Sequence, residues 1–444
     1  MYHLAAFLLS QKPKATYILR GYAGTGKTSL VSTLVKVLPQ IGLKYVLLAP
    51  TGRAAKVISS YTKQTAYTIH HKIYRFGNFQ DPFQRIKIAE NKNKNTIYVV
   101  DEASMIGDDT YNRSLLNDLI EYTFQDTSNK LLLIGDDAQL PPVGTNESPA
   151  LSIDYLKSTY ELTIATYELT EVKRQSLESG ILANATHIRE LLSENENIFQ
   201  TNIFHKNFPN VKNIQAYEFQ ELAYNCFNEK SENESVIVCR SNKRANLYNQ
   251  SIRNYILNSE GMISTGDRLI ILKNNYFWKD DNGTMEFIAN GDIVEIRKIK
   301  HTEDIYGFSF ADVELCLVDY ENQPTIEAKI ILNTLNSENP ALTKEENETL
   351  INTVLADYPN IATKAERIKI IKSNEWINAL QVKFAYALTC HKTQGGQWKN
   401  VFIDSTFNIK DELEREDLRW LYTACTRAIN NLYLIDFKEK MFEE

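Results

Sequence analysis

No stretch of this 444-residue sequence holds the roughly 18 consecutive apolar residues that a membrane-crossing helix needs. The apolar run from Leu4 to Leu9 is short and lacks the basic flank of a signal peptide, so a cytoplasmic protein is expected. Cysteine is scarce: Cys226, Cys239, Cys316, Cys390 and Cys425 are odd in number and show no C-x-x-C spacing, so neither a disulfide framework nor a zinc site is suggested. A basic excess is missing too, since 49 basic residues face 56 acidic ones for a net charge of −7. That balance argues against a protein coating nucleic acid through a uniformly basic surface, but it leaves room for a narrow basic channel. Internal repeats and low-complexity tracts are absent. What remains is an ordinary soluble composition, 43% hydrophobic and 24% charged, on a chain long enough for two or more domains.

One stretch organises the rest. Gly21-Tyr22-Ala23-Gly24-Thr25-Gly26-Lys27-Thr28 reads G-x-x-x-x-G-K-[ST], between the apolar run Tyr17-Ile18-Leu19 and a helical pattern from Ser29 to Leu38. Such a loop curls backbone N–H groups around phosphates, places a lysine on the β- and γ-phosphates and offers a hydroxyl to Mg²⁺. The helix that follows points its positive end at the same place. Gly21, Ala23, Gly24, Thr25, Gly26, Lys27 and Thr28 are therefore candidate nucleotide-binding residues, with Thr28 also a candidate metal ligand. ATP and Mg²⁺ are the cofactors implied.

Further apolar runs end in polar signals. Leu43 to Ala49 leads into Pro50-Thr51-Gly52-Arg53, Thr96 to Val100 into Asp101-Glu102, and Leu131 to Ile134 into Gly135-Asp136-Asp137-Ala138-Gln139. Strand, loop, helix and strand in succession predict a βαβ unit on a parallel sheet, whose carboxyl edge binds ligands. At that edge Asp101 suits the Mg²⁺ shell, Glu102 suits the base that activates water, and Gln139 suits the γ-phosphate or its water. Arg174, in Leu169-Thr170-Glu171-Val172-Lys173-Arg174, is a candidate second cation. Between His71 and Asn95 an aromatic, turn-rich segment predicts a β-hairpin insertion, with Phe79 and Phe83 placed to act as a wedge.

These segments, in order, resemble the motifs of superfamily 1 DNA helicases, most nearly the group containing RecD and the phage protein Dda. The C-terminal half agrees: Ser235 to Asn246 resembles the strand-plus-T-N-K element, Ala385 to Gln397 resembles motif V, and Leu421 to Ala428 resembles motif VI. The resemblance spans residues 21 to 428. It implies an α/β chain of two RecA-like P-loop domains, the first over 1–70 and 96–180 with the hairpin 71–95 inserted, the second over 181–264 and 383–444. An SH3-like β-barrel with a helical arm is expected over 265–382. Arg427 is expected to complete the γ-phosphate site from the second domain, with Gly395 near the nucleotide. Single-stranded DNA and duplex junctions are the expected partners of a monomeric motor. Pro50, Thr51, Arg53, His70, Asn242, Thr389, His391, Lys392 and Thr393 are the expected DNA contacts, and Phe76, Phe79, Phe83 and Trp398 could stack on bases.

The activity implied is ATP-driven 5′ to 3′ translocation on single-stranded DNA with unwinding. The alternative is an ATP-gated clamp or translocase that displaces proteins without efficient unwinding; RNA is a further possible track, whereas a P-loop kinase has no use for motifs V and VI. Related helicases carry an adenine-reading glutamine at the start of the helix before the P-loop strand. Here that helix would be Tyr2 to Ser10, with Gln11 at its wrong end, so weak discrimination between ATP and GTP is expected.

Overall fold

The computed structural model describes residues 2–443 apart from 76–86, 109–113, 172–178, 195–197, 200–201, 206–207, 228–233, 280–286, 319, 321–322, 360–362 and 405–411. Its first half builds a six-stranded parallel sheet, ordered in space Ala66–Thr68, Lys44–Ala49, Thr96–Val100, Lys130–Gly135, Ala15–Gly21 and Thr163–Leu169. These runs are apolar at successive positions because both faces are covered. Ile18, Leu48, Tyr98, Val100, Leu131 and Leu133 belong to one core layer, and Tyr17, Leu19, Leu47, Val99, Leu132 and Ile134 to the other. Alternate residues of a strand point to opposite faces, so a run buried on both sides reads as continuous hydrophobicity.

The second half repeats the plan with five parallel strands, ordered Val211–Ile214, Ala428–Ile435, Trp398–Ile403, Ser235–Cys239 and Ala387–Thr389. Between the last two of these in sequence space lies a closed barrel of Arg268–Ile271, Ile293–Ile305, Phe308–Leu317, Thr325–Ile331 and Leu380–Phe384. Neighbouring barrel strands are antiparallel except for the closing pair, Thr325–Ile331 with Leu380–Phe384. Two helices, Lys344–Ala356 and Lys364–Ser373, precede the closing strand. Each starts on a capping box, Thr343 with Glu346 and Thr363 with Glu366, which satisfies first-turn N–H groups that would otherwise lack partners. The α/β class with a barrel insertion is thus the one the sequence implies.

The barrel is not a loose lobe. Its Leu269, Ile271, Val294 and Leu315 share one buried cluster with Ile237, Cys239 and Phe402 of the second sheet. Full burial of one such side chain contributes about 1.5–3 kcal/mol, so a handful ties the barrel firmly to its sheet. The barrel also touches the first unit. Lys56 donates to Asp292 Oδ1 at 2.7 Å and its ammonium lies 3.5 Å from the Tyr320 ring centre. A Cβ on Gly52 would stand 2.3 Å from the Cβ of Ala289, so only glycine lets the barrel turn approach this helix.

Short strands Tyr74–Arg75 and Lys87–Ile88 pair antiparallel at the place where the hairpin is expected. Phe76, Phe79 and Phe83 lie outside the described residues, as does Arg174. No helix among the described residues is long and apolar enough to cross a membrane.

Candidate active site at the seam between the two sheets

Four strands of the first sheet, Ala15–Gly21, Lys44–Ala49, Thr96–Val100 and Lys130–Gly135, are parallel and adjacent, so their polar exits meet at one edge. The loop after Ala15–Gly21 turns through left-handed Gly24 (φ 78°) and Gly26 (φ 90°) and opens the helix Lys27–Val37. Lys27 Nζ donates to the carbonyl oxygens of Gly21 and, at 3.0 Å, of Tyr22, and stands 3.8 Å from Asp136 Oδ2. Thr28 is exposed on the first turn of that helix.

Asp101 Oδ1 accepts from the Glu102 N–H at 2.9 Å, and its Oδ2 accepts from the Tyr61 hydroxyl at 3.0 Å. Burial pushes the Asp101 carboxyl above its ordinary range, opposed by the Glu102 N–H, Lys27 and Tyr61. Burial likewise raises Glu102, and the Asp101 charge adds to it, whereas Arg427 and Lys27 pull it down. Glu102 sits at φ 52°, a left-handed conformation that is uncommon for a residue with a side chain. The backbone therefore holds this carboxylate at an unusual angle off the strand end, a form of local strain that recurs at functional sites. Gln139 and Ser104 are both buried, and neither Gln139 Oε1 nor Ser104 Oγ has a hydrogen-bond partner among the described residues. Both line a cleft of about 470 Å³ together with Arg20, Asp136, Asp137 and Arg419. For Mg²⁺, which keeps several waters and takes one or two protein oxygens, the Thr28 hydroxyl and the Asp101 carboxylate are a suitable donor set.

The second sheet reaches this edge through the helix Arg415–Cys425. Tyr422 donates from its hydroxyl to Asp136 Oδ2 at 2.7 Å and accepts the Ala23 N–H of the phosphate loop at 2.9 Å. Thr423 Oγ1 accepts the Leu140 N–H at 2.8 Å, and Gln394 Nε2 donates to the Leu140 carbonyl at 2.9 Å. Arg427 is 4% exposed, with donors on the carbonyls of Thr423 (3.0 Å) and Gly396 (3.2 Å) and on Thr426 Oγ1 (3.0 Å). Lys27, Asp101, Glu102 and Arg427 thus share one electrostatic neighbourhood built from both halves of the chain.

The expected nucleic-acid residues divide. Strands Ser235–Cys239 and Ala387–Thr389 pair with Cys239 beside Thr389, which sets Asn242 and the short helix Cys390–Thr393 at a common edge. His391 is exposed there, and Asn242 Nδ2 donates to the Glu338 carbonyl at 3.0 Å. Pro50 and His70 are half-buried, and burial depresses the His70 imidazole. Three residues stand differently from expectation. Arg53 is 9% exposed and lies 3.9 Å from the Trp398 ring centre, and Trp398 is itself 5% exposed, so neither offers a free face to a phosphate or a base. Thr393 is fully buried, with its hydroxyl donating to the Cys390 carbonyl. The reason is the glycine pair: a Cβ on Gly395 would meet Ala54 at 3.0 Å and Thr51 Oγ1 at 3.3 Å, so the two halves close directly on the Thr51–Ala54 turn. Thr51 itself caps its helix by accepting the Ala54 N–H. Sequence reading passed over Tyr422, Asp136 and Tyr61; an aspartate at a strand end beside the phosphate loop was the available signal for Asp136.

Comparison with known proteins supplies the wider context. The AAA domain family matches residues 4–197, and the UvrD-like helicase C-terminal domain family matches 384–435. The chain is 30% identical over 168 residues to the ATP-dependent RecD2 DNA helicase of Deinococcus radiodurans, covering 38% of this chain and 21% of that one. It is 31% identical over 176 residues to the ATP-dependent DNA helicase dda of Enterobacteria phage T4, covering 38% of this chain and 37% of that one. An uncharacterised protein of Methanocaldococcus jannaschii, 24% identical over 463 residues (94% of this chain), is also longer, and the chain spans 36% of it. A Pif1 helicase from Bacteroides, solved with ADP-AlF3 and single-stranded DNA, covers 100% of this chain and 93% of its own at 15% identity and a TM-score of 0.51, a likeness of fold.

Proposed function

We propose that this chain, a superfamily 1 helicase resembling RecD and Dda, hydrolyses MgATP to move 5′ to 3′ along single-stranded DNA and to separate duplex. The observation that carries the reading is the seam: Arg427 and Tyr422 come from the second sheet, yet they meet the phosphate loop and the Asp101-Glu102 pair of the first. A γ-phosphate held by Lys27 and Gln139 on one side and Arg427 on the other makes closure of the seam depend on nucleotide, and its loss makes reopening favourable. Thr28 and Asp101 would hold Mg²⁺, which would supply charge neutralisation to the triphosphate. Glu102, facing both cations, draws the proton from the attacking water. Arg174 is proposed as a second cation at the γ-phosphate and Phe79 with Phe83 as the wedge.

On the nucleic-acid side, the cluster Asn242, Thr389, His391 and Lys392 grips the strand from the second unit, and Pro50, Thr51 and His70 line it from the first. Alternation of the two grips as the seam opens and closes is what converts turnover into steps. The deciding experiment is strand displacement with ATP on 5′-tailed and 3′-tailed duplexes, in DNA and in RNA. Displacement of the 5′-tailed DNA alone is expected. Displacement from a 3′ tail would overturn the polarity, and ATP turnover with streptavidin stripping but no strand separation would assign the clamp or translocase reading instead.

A further inference from the structure

Lys383 lies on the strand Leu380–Phe384, where the barrel returns to the second sheet, and it is 4% exposed. Its Nζ donates to the carbonyl oxygens of Thr334, at 3.2 Å, and Ser337. Close by, Lys392 Nζ is shielded from solvent and has no hydrogen-bond partner among the described residues. Burial lowers both ammonium groups to about 8, and the charge of Lys383 adds to the effect on Lys392. Two cations in each other's field, buried with no carboxylate paired to either among the described residues, are costly unless something negative joins them.

The surrounding charges are already committed elsewhere. Glu338 turns its carboxylate toward Lys243 at 4.0 Å, Arg240 pairs with Asp417, Arg244 pairs with Asp404, and Glu416 faces His391. Backbone oxygens of this turn meet two of the nearby donors, while the Asn336 side-chain oxygen accepts from Gln250 at 2.7 Å. Asn242 Nδ2 donates to the Glu338 carbonyl at 3.0 Å, and Asn246 Nδ2 to those of Asn336 at 2.9 Å and Ser337 at 3.0 Å. Residues 336–338 form a solvent-facing turn laid across these donors, with Asn336 and Glu338 exposed.

We propose that Lys383 and Lys392 together seat one backbone phosphate of the bound single strand, which replaces the carbonyl oxygens of turn 336–338 at these donors. Resting on the DNA-motor reading, this adds to its grip a residue that no motif marks. A phosphate carries a full negative charge where the turn offers partial ones, so the exchange is favourable once the strand enters. Each ammonium must be protonated to hold the phosphate. The charged form is complete below the lowered value and is lost above it, so affinity falls as pH rises through about 8.

The test is single-strand affinity of the whole chain by fluorescence anisotropy, measured against salt and against pH. In the parent, affinity should fall about tenfold per lysine between about pH 7 and about pH 9, by linkage. Lys383→Met, with folding checked by thermal melting, should reduce the slope of log affinity against log salt by about 0.7, the value for one single-strand phosphate contact. Lys383→Arg keeps volume and a charge that does not titrate, so it should retain the slope and remove about tenfold of the pH dependence. A folded Lys383→Met or Lys383→Arg protein with the parent's salt slope and the parent's pH dependence overturns the seat. Absence of single-strand binding by the parent at low salt overturns instead the motor reading beneath it.

Discussion

Replacing Tyr422 with phenylalanine isolates the contact between the halves, because the ring stays and only the hydroxyl goes. Tyr422 is 1% exposed, so its packing is set by the ring and should survive. The hydroxyl donates to the Asp136 carboxylate at 2.7 Å and accepts the Ala23 N–H at 2.9 Å. Burial and the Asp136 charge raise the phenol above its ordinary value, so it remains a donor across any practical pH. A hydrogen bond to a charged group is worth about 1.5–3 kcal/mol and a neutral one about 1 kcal/mol. Together they amount to roughly two to three decades in an equilibrium constant. Part of that falls on nucleotide binding, since Lys27 stands 3.8 Å from the same Asp136 oxygen. Deprived of the phenol, the carboxylate holds Lys27 more tightly, and Lys27 must leave it to reach a phosphate. The KM for MgATP in DNA-stimulated turnover should rise about tenfold, one decade of the two to three available. Adding Asp136→Asn should bring KM back toward the parent, because the competing charge is gone; the two substitutions are coupled through a shared oxygen and should not add. An unchanged KM in Tyr422→Phe, or strict additivity in the double variant, would refute the shared-oxygen account.

Glu102→Gln should keep nucleotide and DNA binding while reducing turnover by at least about a hundredfold, within the usual reach of a general base; near-parent turnover would remove Glu102 from that role. Its raised carboxyl value also predicts that kcat falls as pH drops through a point above the ordinary carboxylate range, because the base must be deprotonated; a flat profile into that range would contradict the assignment. Arg427→Lys keeps a charge but lacks the planar fork that reaches three separated acceptors from three nitrogens, so kcat should drop by about 10³ with a smaller change in ATP binding; stopped-turnover nucleotide titration separates the two. Arg253 and Asp267 form a buried bidentate pair at 2.9 and 3.0 Å, so Asp267→Ala should cost about 3–5 kcal/mol in urea unfolding. Replacing both partners by apolar residues should cost much less, and a loss under about 1 kcal/mol for Asp267→Ala alone would show that water already reaches the site.

Much of the first sheet was legible because buried parallel strands are continuous apolar runs that stop at polar residues. Tyr17-Ile18-Leu19 before the phosphate loop and Thr96 to Val100 before Asp101 are cases where run, exit and helix agree. The barrel's closing strands were not legible. Thr325–Ile331 alternates with Glu327 and Lys329 among its apolar residues, and Leu380–Phe384 sits beyond two helices; its partner is fixed only by the fold. Side-chain contacts between distant segments escaped in the same way. Nothing in the neighbourhood of Trp398 tells that Arg53 stacks on it, and nothing near Lys383 tells that its charge reaches Lys392. Motif residues therefore announce the chemistry of an edge, whereas the partner that commits a residue to packing or to ligand comes from another edge.

Leu140 shows what that difference means for coupling. Its N–H is taken by Thr423 and its carbonyl by Gln394, so both backbone groups of one residue in the first half are held by the second. Leu140 also belongs to the buried cluster of the second sheet, together with Ala138. Gln139 lies between these two anchored residues, and Pro141-Pro142 follow with fixed φ and no N–H to give. A displacement of the second sheet then pulls on Gln139 through Leu140, while the Gln139 N–H on the Asp136 carbonyl at 3.3 Å ties it to the first, where Asp101 and Glu102 follow the strand Thr96–Val100. The glutamine is in this sense the link of the first unit on which the second pulls. Its placement relative to Glu102 therefore responds to closure of the seam, as the γ-phosphate role proposed for it requires.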